Sequence, residues 1–89
     1  MSALQKGDKG HAVRALQENL QKLGFTLDVD GDFGTQTHNA IITIQTIFGY
    51  DVDGMAGPAT HKLIESQVGY GWDLATARKA FKQGGYSGA

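Results

Sequence analysis

The 89-residue sequence contains no cysteine and a single proline. Without cysteine the fold cannot depend on a disulfide or on a zinc site built from thiolates. A dominant charge is also lacking, since eight basic residues stand against nine acidic ones and give a formal net charge of -1. This balance provides no general attraction to phosphate backbones or anionic lipids, so neither nucleic acid nor a membrane is expected as a partner.

Long apolar segments are missing too. No run reaches the roughly eighteen apolar residues that a membrane-spanning helix needs. Residues 1–6 show no apolar stretch of the kind that precedes a signal-peptide cleavage site. We therefore expect synthesis in the cytoplasm without a secretion signal. The length suits one small domain with a modest core.

Glycine is abundant, with 13 residues, and its spacing indicates an internal repeat. Three segments each begin after a Gly-x-x-Gly pair. Each of them ends at a glycine that is followed by an aromatic residue. The second and third copies also share the string Val-Asp-Gly-x-x-Gly-x-x-Thr, at 29–37 and 52–60. Such agreement in phase predicts three equivalent structural units. The pairs are Gly7/Gly10, Gly31/Gly34 and Gly54/Gly57, followed by Gly24-Phe25, Gly49-Tyr50 and Gly69-Tyr70.

Each unit has the pattern of one helix. Pro58 directly follows Gly57, and proline is favoured at the first position of a helix. By the repeat, Gly10 and Gly34 also precede helices. Apolar residues then recur at the three- and four-residue spacing of one buried stripe. The predicted helices are His11–Leu23, Thr35–Phe48 and Pro58–Val68, with buried stripes formed by Val13, Leu16, Leu20 and Leu23, by Ala40, Ile41, Ile44 and Phe48, and by Leu63, Ile64 and Val68.

The glycine–aromatic pairs predict the helix ends. A glycine there can adopt the left-handed conformation that ends a helix, and the next residue then packs back on the last turn. We expect this role for Phe25, Tyr50 and Tyr70. Helices this short are not stable alone and must pack on one another. The prediction is therefore an all-α fold, a compact three-helix domain with glycine-rich and Asp-Gly loops.

The pattern changes after Tyr70. We predict a three-helix domain over residues 1–70, followed by a C-terminal helix and a linker-like tail over residues 71–89. Asp73 is expected to cap this short fourth helix. The glycines near the C-terminus have linker composition. The residues expected to share one face of the fourth helix are Leu74, Ala77, Arg78 and Phe81.

Asp-Gly pairs at 30–31 and 53–54 stand at equivalent positions before the second and third helices. An aspartate there can accept backbone N–H bonds two or three residues further on, while glycine takes a positive φ. Thr37 and Thr60 can bond back toward the same loops. These features predict an architectural role for the shared string.

Two glutamines, Gln17 and Gln45, interrupt the apolar stripes. A buried amide needs hydrogen-bond partners, and the loop backbone is the nearest source. Two roles remain open for them. Each glutamine either locks a loop to its helix or offers its amide to a ligand at the edge of a groove.

Metal binding and catalysis have little support in the sequence. Asp28, Asp30 and Asp32 alternate as in a calcium loop, but Phe33 and Asn39 occupy the positions where an EF-hand needs glycine and glutamate. No nucleophile signature or carboxylate pair is evident. We expect no cofactor, no metal and no enzymatic activity. The histidines, expected on the surface of different helices, are His11, His38 and His61.

The motifs together resemble the peptidoglycan-binding domain found beside cell-wall hydrolases. They read L-x-x-G-D-x-G-x-x-V-x-x-L-Q from residue 4, V-D-G-D-F-G-x-x-T-x-x-A-I-x-x-I-Q from residue 29, and D-G-x-x-G-P-x-T from residue 53. The match covers residues 4–64. It departs at Thr35, where proline is common, and at Ile44, where an aromatic residue is usual.

This resemblance implies a non-catalytic module that anchors a linked muralytic enzyme to the bacterial cell wall. Peptidoglycan and the linked catalytic domain are then the expected partners, and the module is expected to act at the wall as a monomer. With no apparent secretion signal and a linker-like end, the chain resembles the N-terminal module of a modular phage endolysin.

Ligand contacts are expected in a shallow groove near the Asp-Gly loops and helix starts. Free N–H groups at helix starts suit the carboxylates of stem peptides. The ring of Phe33 either packs on a sugar or fills the core. Acidic or amide side chains could meet amines and hydroxyls. The predicted contact residues are Asp30, Asp32, Phe33, Thr35, Asn39 and Gln45.

Three alternatives belong to other functional classes. A structural or regulatory module packing on a partner domain would leave apolar residues outside the core, with Trp72, Leu74 and Phe81 as candidates. A hydrolase would need a carboxylate pair or a metal. A helix-turn-helix DNA-binding domain would need a basic recognition helix, which the segment around Lys62 does not provide.

Overall fold

The computed structural model describes residues 3–76, which form three helices. They are α1 (His11–Lys22), α2 (Thr35–Phe48) and α3 (Pro58–Tyr70). Residues 74–76, at the end of the described part, are helical as well. The predicted all-α, three-helix fold is confirmed, and every helix begins directly after the glycine expected to precede it. None of the helices within residues 3–76 combines the length and hydropathy that crossing a membrane requires.

An extended N-terminal segment ties the loops together through the backbone. Leu4 and Ala56 exchange two N–H···O bonds, with N···O distances of 3.1 and 2.8 Å. The N–H of Gly10 donates to the carbonyl of Gly31 at 2.9 Å. Phe33 bonds to the same segment through both its N–H and its carbonyl, each at 2.9 Å. The loops before α2 and α3 are thereby held against one segment, which sets where both helices begin.

Apolar side chains from all three helices meet in one core. Phe33, contributed by the loop before α2, is the largest fully buried side chain and is 1% exposed. Burial of this apolar surface is the main favourable contribution to folding. The predicted helix stripes supply most of the remaining buried residues, among them Val13, Leu16, Leu20, Leu23, Ala40, Ile41, Ile44, Leu63 and Ile64.

The end of α3 differs from the prediction. The helix passes through Gly69 and ends two residues later at Gly71, which has a left-handed φ of 77°. The N–H of Trp72 then donates to the carbonyl of Gln67 at 3.1 Å. Tyr70, expected to pack back on the helix, is instead 83% exposed. Trp72 is therefore the aromatic residue that completes the third repeat.

Packing of the indole explains this choice of helix end. The ring centroid of Trp72 lies 5.3 Å from that of Phe48 and 6.5 Å from that of Phe25. Tilted aromatic contacts at these separations are favourable beyond the area they bury. Ending the helix at Gly69 would place Tyr70, a smaller ring with a polar hydroxyl, in this position instead.

Packing also continues beyond residue 70. Leu74 is 5% exposed, and its N–H donates to the carbonyl of Leu23 at 2.7 Å. Asp73 caps the helical residues that follow, since its Oδ1 accepts the N–H of Thr76 at 2.7 Å. Residues 71–74 thus pack with the three-helix unit. The other positions of the predicted fourth helix and the linker-like tail lie outside the described residues, and these positions are Ala77, Arg78, Phe81 and residues 82–89.

Alanine substitutions at the two glycines should have opposite effects on stability. Gly71→Ala forces a side chain into the left-handed region and should cost about 1 to 2 kcal/mol. Gly69 lies inside α3, so Gly69→Ala should stabilise the domain by up to about 1 kcal/mol. Urea unfolding measures both. Destabilisation by Gly69→Ala with a neutral Gly71→Ala would contradict the assigned helix end.

Candidate functional site

A buried amide holds the loop before α2. Gln17 is 1% exposed, and its Oε1 accepts the N–H groups of Asp30 and Gly31 at 3.1 and 2.8 Å. Its Nε2 donates toward Asp30 Oδ1 at 3.1 Å, the Asp32 carbonyl at 2.8 Å and Thr37 Oγ1 at 3.0 Å. Both ends of the amide are therefore occupied by the loop and by the first turn of α2.

The same arrangement recurs before α3. Gln45 is also 1% exposed, and its Oε1 accepts the N–H groups of Asp53 and Gly54 at 3.2 and 3.1 Å. Its Nε2 donates toward Asp53 Oδ1 at 2.9 Å, the Met55 carbonyl at 3.0 Å and Thr60 Oγ1 at 3.2 Å. The sequence left two roles open for these glutamines. In the structure both of them hold a loop against their helix.

Hydrogen bonds lower the pKa of the two loop aspartates. The backbone N–H of Asp32, followed by the amide of Gln17, lowers the pKa of Asp30 below its ordinary value of 3.8. The backbone N–H of Met55, followed by the amide of Gln45, does the same for Asp53. Each N–H lies 2.9 Å from the aspartate Oδ1. Donors directed at a carboxylate favour its charged form.

Four of the six predicted contact residues lie on the surface near the start of α2. Asp32 additionally forms a long ion pair with Lys9, with 3.7 Å between Oδ1 and Nζ. Phe33 and Gln45 are each 1% exposed, and both ends of the Gln45 amide are occupied by the loop before α3. The exposed residues are Asp30, Asp32, Thr35 and Asn39.

A groove of about 350 Å³ runs along α2, between this helix and the end of α1. Asn39 is the only predicted contact residue that lines it. The sequence reasoning missed the other polar side chains in its wall, although positions 36, 39 and 43 have the spacing of one helix face. The lining residues are Gly24, Phe25, Thr26, Gln36, Asn39, Ala40, Thr43 and Leu74.

The histidines do not gather into a metal site in the described part of the chain. His11 is exposed on α1, and His38 and His61 are half-buried on α2 and α3. Across residues 3–76, no group of three histidine, aspartate or glutamate side chains is placed to hold a metal ion.

Residues 9–64 match the family model described as "Putative peptidoglycan binding domain". This chain belongs to the peptidoglycan-binding domain family. The matched region contains both glutamine networks and most of the groove along α2. It corresponds to the non-catalytic module of cell-wall hydrolases, and the predicted resemblance is confirmed.

This peptidoglycan-binding domain is similar to parts of larger cell-wall enzymes and to one isolated domain. The spore cortex-lytic enzyme of Bacillus cereus is 40% identical over 77 residues, which are 85% of this chain and 29% of the enzyme. The SleB N-terminal domain has a similar fold, with a TM-score of 0.72, 38% identity and coverage of 75% of this chain and 93% of that one. A Burkholderia AP3 phage endolysin gives a TM-score of 0.68, 36% identity and coverage of 71% and 24%. The chain spans 13% to 29% of the length of the curated relatives it matches.

Removing one of the buried amides should unfold part of the loop structure. Gln45→Ala leaves the Gly54 N–H and the Thr60 hydroxyl without their partner, and we expect a loss of about 2 to 4 kcal/mol. Gln5→Ala, at an exposed position, should change stability by less than about 0.5 kcal/mol. Urea unfolding of both variants tests this. Equal stabilities would contradict a structural role for the amide.

Acid should destabilise the peptidoglycan-binding domain through its aspartates. Folding lowers the pKa of Asp30 and Asp53 below 3.8, so their contribution is complete above that pH and is lost as the pH falls through the folded-state values. The double variant Asp30→Asn/Asp53→Asn should be less stable at pH 7 and should lose less stability below 3.8. The N–H of Thr76 also lowers the pKa of Asp73, so some loss of stability in acid should remain in the double variant. Urea unfolding at several pH values measures how the free energy of unfolding of each protein changes with pH. The same change below pH 3.8 in the variant as in the unaltered chain would refute the linkage.

Proposed function

We propose that this domain binds peptidoglycan on the face formed by the start of α2 and the groove along it. The observation that carries this proposal is the groove of about 350 Å³, whose wall includes the amides of Gln36 and Asn39 and the hydroxyls of Thr26 and Thr43. Amides and hydroxyls both donate and accept hydrogen bonds. Gln36 Oε1 already accepts the N–H of Asp28 at 3.1 Å and the Thr43 hydroxyl donates to the Asn39 carbonyl at 2.9 Å, so these two side chains offer a ligand the Nε2 donor and the hydroxyl oxygen. They match the N-acetyl and hydroxyl groups of the wall sugars.

The loop before α2 supplies the second part of this proposed surface. Thr35 lies at the start of α2, where the helix dipole favours negative charge and so suits the carboxylates of stem peptides. The carboxylate of Asp32 suits their amines and the hydroxyls of the sugars instead. Asp30 contributes through Oδ2, because its Oδ1 already accepts the Gln17 amide and the Asp32 N–H. Phe33 supports this surface from the core, and Gln45 supports the following loop.

The proposed biological role is to hold a linked muralytic enzyme on the bacterial wall. A weak single contact is sufficient there, because tethering raises the local concentration of the enzyme on a polymer with many sites. The endolysin neighbour supports a place in a phage lysis protein, while the cortex-lytic relative is bacterial. We propose that the domain acts as a monomer.

The alternative role, packing on a partner domain, required apolar residues left outside the core. Of its three candidates, one is buried and one is half-buried against the core. Leu74 is 5% exposed and Trp72 packs against the core. Phe81 lies outside the described residues.

Sedimentation with purified sacculi tests the wall-binding proposal. Asn39→Ala removes one amide from the groove and should weaken retention about fivefold, the equivalent of about 1 kcal/mol for a neutral hydrogen bond. Asn19→Ala on α1 is the matched control, since this asparagine does not line the groove. It should bind like the unaltered chain.

Two results would count against the proposal. If the folded 89-residue chain stays in the supernatant at moderate salt, the domain does not bind the wall. If Asn39→Ala and Asn19→Ala bind equally well, the groove along α2 is not the contact surface. Circular dichroism of each variant confirms that the helices remain folded.

A further inference from the structure

We propose that a second ligand-contact groove lies along α3 and accepts a peptidoglycan segment with a sugar ring against Tyr50 and a stem-peptide carboxylate beside Lys62. This inference rests on the proposed function, because it assumes the same polymer. It adds a site on a different helix, with a different chemical preference. Its volume is about 380 Å³.

The two grooves occupy equivalent places in successive repeats. Positions 36, 39, 40 and 43 of α2 line the first groove, and positions 59, 62, 63 and 66 of α3 line the second, 23 residues later in each case. The opposite wall is also equivalent, since Phe25 and Tyr50 are the aromatic residues that follow the ends of α1 and α2. The second groove is thus built by the same packing rule as the first.

The floor and walls of the second groove suit a sugar. Leu63 is 7% exposed and forms an apolar floor, while Ser66 and Gln67 supply a hydroxyl and an amide. Tyr50 is 40% exposed, whereas its counterpart Phe25 is only 8% exposed. An exposed ring with a polar hydroxyl provides a flat apolar face for a pyranose and a hydrogen bond at its edge.

Charge distinguishes the two grooves. Lys62 is exposed and stands where the first groove has Asn39. Within residues 3–76 no carboxylate lies within ion-pair distance of its ammonium group. An ammonium on a flexible stem is a mobile point charge that can follow a carboxylate. The second groove therefore favours the anionic part of the polymer.

A neighbouring pocket extends the proposed site. About 200 Å³ in volume, it shares Tyr50 and Ala59 with the second groove, and its lining also includes Asp51 and Asp53. A ligand that crosses Tyr50 thus has a cation at one end and carboxylates at the other. Stem peptides carry both carboxylates and amines, so they complement this distribution.

NMR shift mapping of the 89-residue chain with a soluble disaccharide–tripeptide from the wall tests the proposal. We expect shifts at Tyr50, Lys62 and Ser66. Lys62→Gln should weaken binding about threefold and Lys62→Glu about fivefold or more, within the range of an exposed ion pair. Lys22→Gln, an exposed lysine on α1, is the matched control and should bind normally.

A second probe identifies the recognised group. If Lys62 meets a carboxylate, the same fragment with its carboxylates amidated should bind the unaltered chain and Lys62→Gln equally. A threefold effect that persists with the amidated fragment would overturn the carboxylate assignment. Because Lys62 is exposed, all variants should unfold at the same urea concentration as the unaltered chain.

The outcomes separate this proposal from the wall-binding proposal. Shifts confined to the surroundings of Asn39, with normal binding by Lys62→Glu, would refute the second groove and leave wall binding intact. Shifts at Tyr50 only with a partner catalytic domain, and not with the wall fragment, would show that the groove serves a protein contact instead. Absence of any shift, together with no retention on sacculi, would refute both.

Discussion

Two buried glutamine amides hold the rest of this structure in place. A loop that approaches a core must satisfy its backbone groups, because an unpaired buried polar group costs about 1 to 3 kcal/mol. Gln17 and Gln45 meet this demand by reaching from one helix to the start of the next. The Asp-Gly turns can therefore lie against the apolar core and still position α2 and α3. Each aspartate completes its network by accepting a backbone N–H and the glutamine amide, which lowers the pKa of its carboxyl.

The two proposed grooves lie at equivalent places in the repeat, but different side chains line them. This difference accounts for the different ligand groups that we propose for each groove. Each groove forms where the aromatic residue after one helix packs near the first turns of the next helix. The backbone plan is shared, but Asn39 lines one groove and Lys62 the other. The lining of the first groove is uncharged and includes two amide side chains, whereas the second groove carries the positive charge of Lys62. A single small fold can thus contact different parts of one heterogeneous polymer.

Helix starts were predictable from the sequence, whereas one helix end was not. A glycine followed by proline or by an apolar stripe leaves few positions at which a helix can begin. All three helices begin where expected. Near the end of α3, Gly69 and Gly71 are both locally acceptable as the terminating glycine. The distant rings of Phe25 and Phe48 select Gly71, because only this ending brings Trp72 onto them. Phe33 is similar: the sequence left open whether its ring contacts a ligand or fills the core, and backbone bonds to the N-terminal segment accompany its burial.

The sequence by itself determined the repeat, the helical class and the helix starts, because these depend on local spacing, and its motifs carried the resemblance to the family. Tertiary structure alone decided which polar residues share a groove, which aromatic residue completes the third repeat, and how far the packed unit extends toward Leu74. These features join residues that are distant in the chain, and their geometry depends on how the helices pack. Sequence spacing predicts which residues share one face of a helix. The opposite wall of a groove comes from the residue that follows the preceding helix, and only the packing of the helices brings it there.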